Sequence, residues 1–233
     1  MTLKRHDYAT RGDLAEALAA GVAAVLCGGI ATNGSAVLAV SGGSTPKLFL
    51  QTLARAEIDW AHVTVCLVDE RWVPDTSPRS NAAFLRENFL QGPAAAAHLE
   101  LFFEEGVTAE EAEPELTRRF GGLARPFDAV ILGMGGDGHT ASFFPGGDNL
   151  ARALDLTSHE AVVAMRAPGA SEPRVTLTLS RLADARFLAL HIEGEEKRQT
   201  LDAALADGPA EALPVRAVLR LERNEPLQVF WAP

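Results

Sequence analysis

The chain has 233 residues with 47% hydrophobic and 22% charged content, and its formal net charge is −10. This composition is typical of a globular protein and excludes a disordered or repetitive chain. The acidic charge disfavours nucleic acid and anionic membranes as partners, because both bind positively charged surfaces. We therefore predict one α/β domain that covers residues 1–233.

The first predicted elements are an edge strand over residues 4–9 and a helix that begins at Thr10 or Asp13 and runs towards Thr32. Residues 14–31 of this helix carry a single charge, so a membrane span or a secretory signal has to be considered. The run is rich in Ala and Gly, and their modest hydropathy favours a helix packed on a sheet instead. We expect no membrane partner.

Two cysteines lie in apolar runs, Cys27 in this helix and Cys66 in a later strand. Free cysteines in such runs are usually buried, and disulfides are rare in reducing compartments. We therefore predict two buried free thiols and a cytoplasmic protein.

Residues 37–40 form a continuous apolar run, typical of a buried parallel strand, which ends in Ser41-Gly42-Gly43-Ser44-Thr45-Pro46. Pro46 suits the first turn of a helix over residues 46–56, so the preceding hydroxyl and N–H groups lie where an anion is favoured. The spacing excludes a Walker A loop, and three hydroxyls beside free N–H groups favour one phosphate monoester. Alternatively, the Ser and Thr side chains only cap the helix.

The next strand is predicted over residues 63–68 and is followed by Asp69-Glu70-Arg71-Trp72-Val73-Pro74. Ser80 and Asn81 then begin a helix. Arg71 and Arg79 are candidate anion ligands, although arginines more often form surface ion pairs with neighbouring acids.

A strand over residues 99–103 and a helix over residues 108–120 lead to the apolar run 129–132, which ends in a loop with four glycines. Ligands of open α/β sheets bind beyond the carboxyl ends of the strands, so Asp137 and His139 emerge where chemistry is expected. His139 suits the role of a general base near neutral pH.

The same loop matches a dinucleotide-binding fingerprint through Gly133, Gly135 and Gly138. That motif opens a helix, whereas Pro145-Gly146-Gly147 interrupts the chain within two turns. We therefore disfavour a nicotinamide or flavin cofactor. A structural turn with a surface histidine is the remaining alternative.

The C-terminal part is predicted to contain a strand over residues 161–165, a stretch over residues 174–179 with a helical piece after it that ends at Ala185, and a buried strand over residues 187–192. A helix that ends at Leu205 and a last strand over residues 227–231, which closes the sheet, follow. Lys197 falls in a first helical turn, where the helix dipole disfavours cations, so we expect it to face a bound anion rather than solvent. The other histidines show no metal-ligand spacing: His6, His62, His98, His159 and His191.

Together, the Ser41–Pro46 loop, the Asp69–Pro74 segment, Ser80-Asn81 and the motif from Gly133 to Pro145 resemble the 6-phosphogluconolactonase family. Gly194-x-x-Lys197 and Arg174-x-Thr176-Leu177-Thr178 extend the resemblance over nearly the whole chain. It implies a mostly parallel, twisted sheet with helices on both faces, and hydrolysis of 6-phosphoglucono-δ-lactone in the oxidative pentose phosphate pathway. It also implies no metal or cofactor, and we expect a monomer or weak homodimer.

On this basis we assign catalytic roles to His139, Asp137 and Arg71. The oxyanion is expected to be stabilised by Arg71 or by backbone N–H groups of residues 135–138. Substrate and phosphate contacts are assigned to the first glycine loop, to two glycines of the second loop and to three charged residues: Ser41, Gly42, Gly43, Ser44, Thr45, Gly135, Gly136, Asp69, Arg174 and Lys197.

Two alternatives stay open. Glucosamine-6-phosphate deaminases share these loops but carry a catalytic glutamate before the proline, where this chain has Phe144. A sugar-phosphate-binding regulator that has lost catalysis is the other, and the retained His139 argues against it.

Overall fold

The computed structural model of the protein describes residues 3–233. The main sheet is seven-stranded and parallel in the order β1-β10-β9-β6-β2-β3-β5, and a second sheet is three-stranded and antiparallel in the order β4-β8-β7. Within the described residues, the strands are β1 (Leu3–Asp7), β2 (Ala36–Val40), β3 (Val63–Leu67), β4 (Asp69–Arg71), β5 (His98–Glu100), β6 (Ala129–Leu132), β7 (Val162–Met165), β8 (Arg174–Leu177), β9 (Phe187–Glu193) and β10 (Leu227–Ala232).

Helices connect these strands and cover the sheet. They are α1 (Arg11–Asn33), α2 (Lys47–Leu53), α3 (Asn81–Asn88), α4 (Ala109–Gly121), α5 (Leu150–Leu154), α6 (Leu179–Leu182), α7 (Glu195–Leu205) and α8 (Val215–Leu219), with 3₁₀ helices at Trp60–His62 and Gly92–Ala96. The architecture is the predicted α/β class.

The central strands are hydrophobic throughout because both of their faces are covered. Every residue of β2 and of β6 is buried, which explains why they appear in the sequence as continuous apolar runs. The last strand, β10, lies between β1 and β9, so the prediction that it closes the sheet is wrong. The edges of the sheet are β1, as predicted, and β5.

The small antiparallel sheet was not predicted. Its strand β4 consists of Asp69, Glu70 and Arg71, three polar residues without an apolar pattern. They pair with β8, with Arg71 opposite Arg174. The pairing brings two segments that are about a hundred residues apart in sequence to the same wall of the site.

Helix α1 begins where the sequence indicates. The Thr10 side chain accepts the N–H of Asp13 at 3.1 Å, and Gly34 ends the helix in the left-handed conformation. The helix is long and apolar enough to cross a membrane by length and composition. Its residues Leu14, Leu18, Val22 and Leu26 nevertheless lie fully buried in the core.

The two thiols differ in burial. Cys66 lies in β3, and burial raises its pKa to about 12. Cys27 is exposed on the outer side of α1, so the prediction that both are buried is wrong. Small residues make the whole helix apolar, and the sequence therefore does not distinguish its two sides.

Neighbouring strands in the order β9-β6-β2-β3 run in the same direction, so their carboxyl ends meet at one edge of the sheet. The loops after β2 and β6 are therefore adjacent in space. Ser41, just after β2, donates its N–H to Ile131 O in β6 at 3.0 Å. This edge is the place where open α/β sheets bind their ligands.

Candidate active site

A cavity of about 240 Å³ lies at this edge, between the main sheet, the small sheet and helix α7. Most of the residues assigned from the sequence line it: Ser41, Gly42, Gly43, Ser44, Thr45, Asp69, Arg71, Gly135, His139, Arg174 and Lys197. Gly136 and Asp137 do not line it. Five lining residues were not assigned: Pro46, Asn81, Gly133, Met134 and Ala141.

The loop after β6 holds a hydrogen-bonded acid and histidine. Oδ1 of Asp137 lies 2.6 Å from Nδ1 of His139 and also accepts the N–H of His139 at 3.1 Å. The hydrogen bond with His139 lowers the pKa of Asp137 to about 2, so its carboxylate is ionised at neutral pH. Because Asp137 accepts from Nδ1, the lone pair of the neutral ring lies on Nε2.

This loop leaves no room for side chains near the pair. A Cβ on Gly135 would lie 2.1 Å from Nδ1 of His139 and 2.6 Å from Oδ1 of Asp137. The N–H of Gly135 donates to His139 O at 2.8 Å, and that of Gly138 donates to Gly135 O at 3.0 Å. The glycines are therefore required for a tight turn that presents His139 to the cavity.

The same contacts bear on the expected oxyanion donors. The N–H groups of Gly135 and Gly138 are used inside the loop, and the N–H of His139 donates to Asp137. Two of the backbone donors expected around residues 135–138 are therefore engaged. The N–H groups of Gly136 and Asp137 have no partner within residues 3–233, but neither residue lines the cavity. Arg71 does line it and is therefore the stronger candidate.

The loop after β2 is arranged differently. Among residues 3–233, no hydrogen bond uses the N–H groups of Gly42, Gly43, Ser44 or Thr45. Oγ of Ser41 accepts the N–H of Gly133 at 3.0 Å and so joins the two glycine loops. A Cβ on Gly42 would lie 2.2 Å from Oδ1 of Asn81, so the loop packs tightly on helix α3. Residues 42–45 thus line the cavity and carry four N–H groups without a partner among residues 3–233, a combination that suits an anion.

Arg71 and Arg174 lie opposite each other in the paired strands β4 and β8. Nη1 of Arg71 donates to Arg79 O, whereas the buried Nε atoms of both side chains have no hydrogen-bond partner within residues 3–233. Burial lowers the pKa of Arg174, and an arginine keeps its charge at neutral pH even so. Unpaired buried donors of two adjacent cations favour an anionic ligand.

Oδ2 of Asp69 lies 3.9 Å from Nη1 of Arg174. The same oxygen accepts a hydrogen bond from the hydroxyl of Ser142 at 2.6 Å. Its backbone oxygen accepts Nδ2 of Asn81 at 3.0 Å. The side chain is therefore held in one orientation at the cavity wall. Ser142 was missed because a serine inside the motif carries no signal of its own.

Glu70 was also missed as a structural residue of the site. Its buried carboxylate accepts the N–H groups of Arg71, Asn81 and Ala82 at 2.7 to 2.8 Å and the hydroxyl of Ser80 at 3.0 Å. Burial raises the pKa of Glu70, and these hydrogen bonds oppose that effect. The carboxylate fastens the beginning of α3 to β4 and so fixes both Arg71 and Asn81.

Helix α7 holds the loop after β6 through two hydrogen bonds. Nζ of Lys197 donates to Met134 O while the side chain lines the cavity, and Oγ1 of Thr200 donates to Gly136 O at 3.2 Å. Lys197 therefore faces the site, as expected, and also holds the loop.

Arg79 does not line the cavity. It forms an ion pair with Glu172 and donates to Ser171 Oγ at 3.0 Å. This hydrogen bond from Arg79 lowers the pKa of Glu172 to about 2. The structure thus gives Arg79 the ordinary role of a surface ion pair rather than that of an anion ligand.

Within residues 3–233, no three side chains of His, Cys, Asp or Glu are grouped so that they would hold a metal ion. The histidine of the site is paired with a single carboxylate. The chemical groups that the site offers are the acid–histidine pair, the arginines, the lysine and the N–H groups of residues 42–45.

A family model described as glucosamine-6-phosphate isomerases/6-phosphogluconolactonase matches residues 9–231. The chain belongs to this family. It is 49% identical over 233 residues to the 6-phosphogluconolactonase of Rhizobium meliloti, covering all of both chains. It is also 49% identical to that of Mesorhizobium japonicum over 97% of this chain and 94% of the relative. The resemblance inferred from the motifs is confirmed.

Solved structures agree with this assignment. A 6-phosphogluconolactonase from Shewanella baltica superposes with a TM-score of 0.95 at 37% identity and covers 99% of this chain and 98% of its own. A monomeric glucosamine-6-phosphate deaminase superposes with a TM-score of 0.79 at 18% identity, over 99% of this chain and 97% of its own. At that identity the similarity shows only the shared fold.

Proposed function

We propose that this protein hydrolyses 6-phospho-D-glucono-1,5-lactone to 6-phospho-D-gluconate, as in the oxidative pentose phosphate pathway. The observation that carries the proposal is the hydrogen-bonded pair of Asp137 and His139, which faces a cavity rich in anion donors. The relatives that are 49% identical over nearly all of this chain support the same activity.

The 6-phosphate binds to the free N–H groups and hydroxyls of residues 42–45, with Lys197 and Arg174 completing its shell. Four N–H groups that have no partner among residues 3–233, together with two cations, are suited to one phosphate dianion. Binding energy gained at the phosphate orients the lactone carbonyl at the other end of the molecule, near His139.

Nε2 of His139 takes a proton from a water molecule as its oxygen attacks the lactone carbonyl carbon. Asp137 holds Nδ1–H, fixes the orientation of the ring and stabilises the imidazolium that forms. Because the carboxylate of Asp137 stays ionised at neutral pH, it serves this role throughout the physiological range.

The attack places negative charge on the former carbonyl oxygen. The guanidinium of Arg71, which lines the cavity, is the donor that we assign to this charge, and one such donor is typically worth about 3 kcal/mol. The bond between the carbonyl carbon and the ring oxygen then breaks. His139 returns its proton to the ring oxygen, which leaves as a hydroxyl group. The carboxylic acid formed at the former carbonyl carbon then releases its proton to solvent water, and the product carries a carboxylate.

The decay of freshly generated lactone at neutral pH tests the proposal. Wild type is compared with His139→Asn, with a reaction without enzyme, and with His159→Asn as a control on an exposed histidine outside the cavity. We expect wild type and His159→Asn to accelerate decay equally. His139→Asn should lose about 10² to 10⁴-fold in kcat yet still bind 6-phosphogluconate.

The other outcomes separate the alternatives. Full activity of His139→Asn would remove this residue from the mechanism. Wild type that binds 6-phosphogluconate without accelerating decay would identify a non-catalytic binding protein. Release of ammonia from glucosamine 6-phosphate would identify the deaminase reaction instead, although Phe144 occupies the position of its glutamate.

A further inference from the structure

A second, much smaller cavity lies behind the loop that follows β2. Its volume is about 10 Å³, which is the room that one water molecule needs. It is lined by Ser41, Pro46, Ile131, Leu132, Gly133 and His191. Ser41, Pro46 and Gly133 also line the active-site cavity, so they form the wall between the two.

His191 contributes a buried acceptor to this cavity. The residue lies on β9 and is 2% exposed, and its Nε2 lies 3.2 Å from Oε1 of Glu193. A carboxylate only accepts hydrogen bonds, so Nε2 carries the proton and Nδ1 of the neutral ring is an acceptor. No group within residues 3–233 forms a hydrogen bond with Nδ1. Buried polar atoms of native proteins nearly always have a partner, either protein or ordered water.

Ser41 contributes a donor. Its Oγ accepts the N–H of Gly133, and no residue among 3–233 accepts its hydroxyl proton. The other side chains around the cavity are apolar, namely Pro46, Ile131 and Leu132. The cavity therefore combines one unused donor and one unused acceptor with apolar walls.

We propose that this cavity binds one ordered water molecule, which accepts the hydroxyl proton of Ser41 and donates a proton to Nδ1 of His191. The water provides both missing partners at once. The water connects Ser41, the first residue of the loop after β2, to His191. His191 is in turn connected through Glu193 to Arg11, whose Nη1 lies 3.2 Å from the Glu193 carboxylate. His191 is thus a positioning residue that acts on the loop through Ser41 and does not touch substrate.

A high-resolution crystal structure of the full chain without substrate tests the site directly. We expect a water peak within 2.6–3.2 Å of both Oγ of Ser41 and Nδ1 of His191. Nitrogen-15 NMR should show His191 protonated on Nε2. A site without density, a direct contact between the two side chains, or a proton on Nδ1 would overturn the proposal. The crystal structure and the NMR experiment do not depend on catalysis. Their outcome is therefore independent of whether the proposed lactonase function is correct.

A pair of variants tests the positioning role of His191. This test rests on the proposed function, because it measures hydrolysis of the lactone. His191→Leu removes the acceptor, and we expect the KM for the lactone to rise about fivefold with kcat within about twofold, as for loss of one hydrogen bond. His191→Gln retains an acceptor and should restore most of the affinity. An unchanged KM in His191→Leu, or an equal defect in His191→Gln, contradicts the role. If His191→Leu does not fold, a crystal structure of Ser41→Ala should lack the water, and a fully occupied water there would refute the assigned donor.

Discussion

The two glycine loops of the site lie side by side but use their backbone in opposite ways. In the loop after β2, the N–H groups of residues 42–45 have no partners within the described chain. In the loop after β6, the N–H groups of Gly133, Gly135, Gly138 and His139 are all engaged by neighbouring oxygens. The first loop leaves all four of these donors unused, whereas the second uses four of its donors to fix its shape and its position against the first loop. Among residues 135–138 of the second loop, only the N–H groups of Gly136 and Asp137 lack a partner within residues 3–233, and neither residue lines the cavity.

This difference corresponds to two requirements of a hydrolase, which has to bind its substrate and also has to hold its catalytic groups in a fixed orientation. Free N–H groups are strong donors to an anion, and they are acceptable without protein partners only where a ligand or water reaches them. The general-base role that we propose for His139 requires a fixed orientation of its ring, which the hydrogen bonds between Asp137 and His139 provide. Similar glycine content in two loops therefore serves two different purposes.

The largest expected effect comes from breaking the second loop. Gly135→Ala would place a methyl group 2.1 Å from Nδ1 of His139, so the loop or the ring has to move. We expect kcat to fall at least about 10²-fold, the typical cost of a 1 Å misplacement in an active site, with binding of 6-phosphogluconate retained. Steady-state kinetics and product titration measure both quantities.

Gly28→Ala is the matched control, because an added Cβ there meets nothing within 4 Å on helix α1. It should leave kinetics unchanged and stabilise the protein by up to about 1 kcal/mol through helix propensity. A Gly135→Ala variant as active as Gly28→Ala would mean that the tight turn is not required for catalysis.

A smaller effect is expected in the first loop. Thr45→Val removes one hydroxyl donor at the cavity but leaves the backbone N–H groups, so KM should rise about tenfold while kcat stays within about threefold. Thr52→Val is the control, since Oγ1 of Thr52 donates only to Leu48 O on the exposed side of α2. A loss in kcat with unchanged KM would assign this loop to chemistry rather than to binding.

The smallest effect concerns stability against acid. The pKa of Asp137 is about 2 in the folded protein against about 3.9 in an unfolded chain. The ionised side chain therefore makes its full contribution to the free energy of unfolding above about pH 5. This contribution is lost as pH falls through about 3.9 towards about 2. The side chain is 48% exposed, so the difference in unfolding free energy between wild type and Asp137→Asn should stay below about 1 kcal/mol.

Urea unfolding of both proteins at pH 7, 5, 4 and 3 measures this difference. It should narrow as the pH falls. A difference that widens towards pH 3 would show that the carboxylate of Asp137 destabilises the loop in its charged form.

Much of the fold followed from local patterns. Continuous apolar runs identified β2, β3, β6 and β9, and Thr108 before an acidic turn identified the start of α4, where the structure has a capping box. The short elements β4, α5 and α8 were not predicted, because a segment of three to five residues is too short to show a clear hydrophobic periodicity.

The sequence by itself determined the class of fold, the two glycine loops and the place of His139 in the loop after β6, because each depends on residues that are close together along the chain. The tertiary structure decided which N–H groups are free, that Arg71 and Arg174 lie opposite each other, and that Arg79 pairs with Glu172 outside the cavity. It also decided that Glu70 fastens helix α3 and that Nδ1 of His191 lies buried without a protein partner among residues 3–233. Most of these contacts join separate segments of the chain, and hydrogen bonding and burial arise only when the packed elements bring those segments together.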